Sequence, residues 1–217
     1  TIAWLDSTAT YNYEIEYDTV GFEVGTGTIL TTTDTVYQLT ELLSNTEYEA
    51  HIRILCQNGG YSTDRIIRFR TACDPYPADS LPFVENFDDW NVINPCWKAI
   101  NSGTAAYPEL TSSQSVTAGN KSMRMYNSTS GSWNMLVLPL FETPANELQI
   151  EFWLKKTNTS YPHQLQVGVI SNPADVSTFV PFTQVSPSAA NQWERFNVYL
   201  NQYQSVNEDG EEVEDIR

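Results

Sequence analysis

Positive charge is what this chain has least of. Eleven Lys and Arg stand against 27 Asp and Glu, a formal net charge of -16 over 217 residues. A nucleic-acid partner calls for a basic footprint, and an anionic membrane surface attracts basic segments, so the composition argues against both. No apolar run approaches the roughly 20 residues of a membrane-spanning helix. Histidine is nearly missing as well: the two, His51 and His163, lie far apart in the chain. No Gly-x-Ser-x-Gly elbow, His-Glu-x-x-His pair or phosphate-cradling glycine loop occurs, so no catalytic constellation is in view. The expectation is a protein that is not an enzyme. Carboxylates are plentiful enough for a glycosidase pair, but nothing in the sequence brings two of them together.

What the chain does have is Thr, Ser and aromatic residues, with Phe, Trp and Tyr making up 12%. That palette favours strands, and the fold class expected is all-β. Residues 11–17 read Tyr-Asn-Tyr-Glu-Ile-Glu-Tyr, a half-buried strand with Tyr11, Tyr13, Ile15 and Tyr17 on one face. A strand over 46–56 and a returning strand over 65–71 flank the hairpin signal Asn58-Gly59-Gly60. Short strands at this spacing predict a β-sandwich over residues 1–73. Within it, Leu39-Thr40-Glu41-Leu42-Leu43-Ser44-Asn45-Thr46-Glu47-Tyr48 resembles the fibronectin type III signature, with Ser44 where that family usually has proline. The resemblance implies that Tyr48 hydrogen-bonds back to the chain as a tyrosine corner, that Trp4 is a core residue, and that the module's first strand is missing. Thr1 falls inside a strand pattern and residues 207–217 end without a closing strand. The chain is therefore expected to be a piece of a longer protein.

The segment Cys73–Trp97 divides the sequence. Pro75, Pro77 and Pro82 remove ladder donors and fix φ, which excludes a central strand and marks a linker. Phe83–Phe87 then reads as the opening strand of a second domain, residues 74–217, with further strands over 122–126, 135–138, 148–155, 164–170 and 194–200. In 148–155 the apolar Leu148, Ile150, Phe152 and Leu154 alternate with polar residues, apart from Trp153, as in a sheet with one buried face. Two stacked antiparallel sheets of jelly-roll type fit this pattern.

Three cysteines leave one odd. With the hairpin turning at Gly59-Gly60, Cys56 and Cys73 lie about 30 Å apart at ~3.3 Å per residue, too far for a disulfide. Cys73 and Cys96 meet if the segment between them folds back, and closing that loop contributes roughly 3 kcal/mol in the chain-entropy model. Cys56 is then expected to pair with the missing first strand. Three reduced thiols are the alternative; the strand-rich, acidic composition favours an extracytoplasmic setting.

In the second domain the order Leu81-Pro82-Phe83-Val84-Glu85-Asn86-Phe87-Asp88, Pro95-Cys96-Trp97, Gly119-Asn120-Lys121-Ser122, Val167-Gly168-Val169-Ile170-Ser171-Asn172-Pro173 and Trp193-Glu194-Arg195 resembles the MAM-like jelly rolls of bacterial surface proteins. These are akin to the cleaved-adhesin domains of gingipains and haemagglutinins. The resemblance covers about residues 81–203; the acidic tail 208–215 departs from the family's closing strand, so that strand is expected to be missing. It implies a structural Ca2+ held near Glu85, with Asp88 as a further ligand. Calcium takes six to eight oxygens, so loop carbonyls would have to join the carboxylates.

Loop aromatics can stack on the apolar faces of sugar rings. Trp133, after Gly131-Ser132, and Tyr161, in a Ser-Tyr-Pro loop, are the candidates, although Trp133 also suits a core position at the start of the following strand. The function expected is a non-catalytic adhesion module, secreted or on the cell surface, that binds extracellular protein or glycan, with neither nucleic acid nor membrane as partner. The alternatives are an accessory region of a secreted peptidase or glycoside hydrolase, and a structural spacer.

Overall fold

The computed structural model describes residues 1–5, 11–57, 59–103, 107–112, 114, 116, 121–127, 129–160, 163–201 and 203. The fold is all-β, built from antiparallel strand pairs, and the described residues contain no α-helix. The chain divides into two compact units, Thr1–Asp74 and Pro75–Arg217.

In the first unit the strands are β1 (Ile2–Ala3), β2 (Asn12–Thr19), β3 (Thr28–Thr32), β4 (Val36–Tyr37), β5 (Glu47–Leu55) and β6 (Arg65–Arg70). Four of them form a sheet in the order β3-β2-β5-β6, and β1 pairs with β4 in a second sheet. The two-residue period decides which side chains go inside. Tyr13 and Ile15 of β2 and Ala50 and Ile52 of β5 are buried with Ile2 and Leu39, and Trp4, Tyr37, Leu42, Ile67 and Phe69 pack around them. Trp4 meets Tyr13 edge-to-face with ring centroids 5.2 Å apart. The hydroxyl of Tyr48 accepts the Leu43 N–H at 3.0 Å, fixing the bend that leads into β5. The β5–β6 hairpin turns through Gly59 at φ +81°, a left-handed conformation suited to glycine.

The second unit contains β7 (Lys98–Asn101), β8 (Glu109–Thr111), β9 (Ser122–Arg124), β10 (Asn134–Val137), β11 (Gln149–Leu154), β12 (Leu165–Ile170), β13 (Phe179–Val185) and β14 (Glu194–Tyr199). They pair antiparallel as β7–β10, β8–β9, β11–β14 and β12–β13. Ile150 and Phe152 of β11 and Val198 of β14 share one core with Leu165, Val167 and Val169 of β12 and Phe182 of β13. The inner faces of two strand pairs thus fill a common apolar layer, as in a sandwich.

One expectation is corrected here. Phe83–Phe87 is not a strand. Its polar side chains bond to their own backbone: the Glu85 carboxylate accepts the Phe87 N–H at 2.5 Å and the Asn86 side chain accepts the Asp88 N–H at 3.1 Å. Such local turns compete with a ladder, and Phe87 at φ +66° leaves the extended region altogether. The segment instead builds an aromatic centre, in which Trp90 and Trp97 are buried edge-to-face at 5.3 Å, with Phe87, Phe83, Tyr76 and Phe141 around them. A strand that was not expected is β13, which contains Pro181. The register of β12 and β13 shifts between Val167 and Gly168, so Pro181 lies opposite Gly168 at a bulge, a position where a missing N–H is tolerated.

Cys73 and Cys96 form a disulfide, which closes the loop between them. Cys56 is an exposed free thiol.

Candidate binding surface

Trp133 stands just before β10. Its N–H donates to the Ser102 hydroxyl at 2.9 Å and its carbonyl accepts the Ser102 N–H at 3.0 Å, so its backbone extends the β7–β10 pairing by one step. The side chain stays 37% exposed, which sets it apart from the buried Trp90 and Trp97. The next residue, Asn134, donates through its side-chain amide to the Tyr126 carbonyl at 3.1 Å and to the Asn127 side-chain oxygen at 2.6 Å. These bonds tie the Trp133 turn to the segment that follows β9.

Beside it, Tyr107 before β8, Arg124 at the end of β9 and Tyr126 just after it form a cluster that was not among the expected site residues. Arg124 lies 5.2 Å from the Tyr107 ring centre and 5.6 Å from that of Tyr126, and the two rings meet edge-to-face at 5.4 Å. Glu109 on β8 holds the same guanidinium at 3.3 Å. A cation shared by two π faces is drawn to them electrostatically. Asn101 of β7 fixes Tyr107 by donating to its carbonyl at 3.1 Å. Arg124 is half exposed, as is Tyr126 at 48%. The signal was present in Ser122-Met123-Arg124-Met125-Tyr126: the period of two puts Arg124 and Tyr126 on the face opposite Met123 and Met125.

Of the two carboxylates expected to hold calcium, Glu85 serves the turn described above. Asp88 accepts the Lys121 N–H at 3.0 Å, while the Lys121 ammonium donates to the carbonyls of Asp88, at 2.9 Å, and Trp90. A cationic side chain therefore already occupies two backbone oxygens beside the expected carboxylate ligands. Among the described residues no group of three or more His, Cys, Asp and Glu comes together as a metal site. Tyr161 lies outside the described residues.

The outward face of β2 and β5 holds an ionic network. Arg53 donates to the Glu14 carboxylate at 2.9 and 2.6 Å and reaches Glu16 at 3.5 Å. Glu16, with no solvent exposure, also accepts the N–H groups of Gly25 and Gly27 from the loop that folds over it. His51 contacts Asp64 at 2.9 Å through Nδ1 and Glu49 at 3.4 Å through Nε2, with Phe22 edge-on to its ring. Burial opposes a charge on His51, but its hydrogen bonds to the Asp64 and Glu49 carboxylates outweigh it and raise the pKa above the ordinary value. Burial likewise opposes ionisation of Glu49, and the bonds from Arg68 and His51 bring its pKa down on balance. Both ring nitrogens of His51 thus face carboxylates, an arrangement that favours its protonated form.

No family model, no curated protein and no solved structure matches this chain.

Proposed function

We propose that this chain is a non-catalytic binding region of a secreted or cell-surface protein, and that it recognises extracellular protein or glycan through the loop end of its second unit. The observation that carries this reading is the cluster of Tyr107 with the half-exposed Arg124 and Tyr126, tied by Asn134 to the turn bearing Trp133. Two aromatic rings around a guanidinium offer an apolar face and fixed donors side by side, the chemistry of a recognition surface. The disulfide supports an oxidising compartment. The Tyr48 hydrogen bond and the order β3-β2-β5-β6 support a fibronectin type III-like first unit, and the paired antiparallel strands with a shared core support a jelly roll of adhesin type in the second.

The test is an array of glycans and extracellular-matrix proteins probed with the intact chain, in calcium and in chelator. Selective binding that falls about tenfold in Arg124→Ala and in Trp133→Ala supports the reading. A folded protein that binds nothing in either condition overturns it. In this reading a structural calcium ion near Glu85 and Asp88 competes with the Lys121 ammonium for the Asp88 and Trp90 carbonyls. It would appear as a calcium-dependent rise in Tm that Asp88→Asn removes.

A further inference from the structure

The alternation of β11 breaks once on its solvent side, at Trp153, and that of β14 breaks once, at Tyr199. Both strands alternate in burial along their length, with Ile150, Phe152, Phe196 and Val198 turned inward. The outward register pairs Trp153 with Arg195, Glu151 with Asn197 and Gln149 with Tyr199. Trp153 is 46% and Tyr199 62% exposed. A sheet face turned to water ordinarily carries polar residues, so two large rings on one solvent face call for a reason. The rings stand four residues apart along the ladder, about 13 Å at ~3.3 Å per residue. Glu151 and Asn197 lie between them, and Arg195 and Gln149 lie opposite the two rings, all groups that bond to hydroxyls, with Arg195 ion-paired to Glu151.

We infer that this outward face of β11 and β14 is a platform for a linear, uncharged glycan. A pyranose ring has an apolar C–H face and a rim of hydroxyls. Trp153 and Tyr199 offer π surfaces to two such faces. The amides, together with the oppositely charged Glu151 and Arg195, match the hydroxyls of the rings between. A span of this length engages an extended chain of several sugars and gives one sugar only one stacking partner. Charge narrows the choice further. Arg195 is already neutralised by Glu151, and a chain of net charge -16 repels an acidic polymer. The same charge disfavours a second copy of this chain. A protein partner would have to desolvate the ion pair.

This face is separate from the Trp133 surface, and a separate set of variants tests it. Native gel electrophoresis of the intact chain would be run through gels containing mixed-linkage β-glucan, galactomannan or arabinoxylan, with polygalacturonate as the acidic comparison. The expected result is retardation by at least one neutral polysaccharide. Trp153→Ala and Tyr199→Ala each weaken it about tenfold, the worth of roughly 1.4 kcal/mol of lost stacking. Tyr199→Phe keeps the ring and keeps most of the binding, and Val180→Ala, at an exposed apolar residue of β13 outside both surfaces, leaves it unchanged. Near-UV circular dichroism checks that the variants are folded. The inference is overturned by no retardation in any neutral gel, by retardation that Trp153→Ala leaves intact, or by binding to polygalacturonate alone. Sedimentation showing self-association that Trp153→Ala abolishes overturns it too, by assigning the face to a contact between copies.

Discussion

At Gly168 a single hydrogen atom holds a bulge open. A Cβ built there would lie 2.1 Å from the Val180 carbonyl oxygen and 2.8 Å from the Pro181 Cα, both backbone atoms that cannot swing aside. Gly168→Ala should therefore cost about 2 kcal/mol or more, read as a lower urea midpoint with an unchanged slope. Tyr48→Phe removes the acceptor of the Leu43 N–H while keeping the ring that stacks on Phe69, and about 1 kcal/mol is the expected loss by the same measurement. The charged pair on the outer face predicts a pH dependence. His51 has a raised pKa in the fold, so its contribution is complete below the ordinary value of about 6.5 and is lost as pH climbs through the raised one. Glu49 has a lowered pKa, so its contribution is present above about 4.3 and is lost as pH falls through the lowered value. Urea midpoints should form a plateau between about pH 4.3 and 6.5, with the alkaline shoulder missing in His51→Gln.

Among the elements, β2, β5, β6, β11, β12 and β14 were legible because each repeats apolar residues every second position and buries them on one face. Others were not. Strands β7 and β8 are short, and Lys98-Ala99-Ile100-Asn101 holds too few alternating residues to stand out from loop sequence. Strand β13 was masked by Pro181, since a proline in a run argues against a strand unless a bulge receives it, and the bulge, with Phe182 as the extra residue of β13, arises only from pairing with β12. Phe83–Phe87 failed for the opposite reason: its apolar spacing imitates a strand while Glu85 and Asn86 hold it in turns. The candidate surface was half visible. Trp133 stood out as a loop aromatic, but Tyr107 meets Tyr126 only through the folding of β8 against β9, contacts that no local pattern announces. The disulfide was accessible to simple arithmetic on distances. Reducing it should lower stability by roughly 3 kcal/mol, seen by comparing Cys96→Ser with the parent chain.

For the molecule as a whole, acidity sets behaviour in solution. The sequence pI is about 4.3, so solubility should pass through a minimum near that pH and recover on either side, which turbidity against pH would show. The closed loop from Cys73 to Cys96 has one more consequence, which appears only under tension. A chain pulled from its two ends transmits force across the sulfur–sulfur bond and leaves the 23 residue steps from Cys73 to Cys96 slack. Those residues add nothing to the extension until the bond is broken. Single-molecule stretching should give a fully unravelled length about 80 Å shorter in the oxidised protein than after a reductant is added, at ~3.5 Å per residue. If the chain serves at a cell surface, that slack is a reserve of tether that only a reducing environment releases.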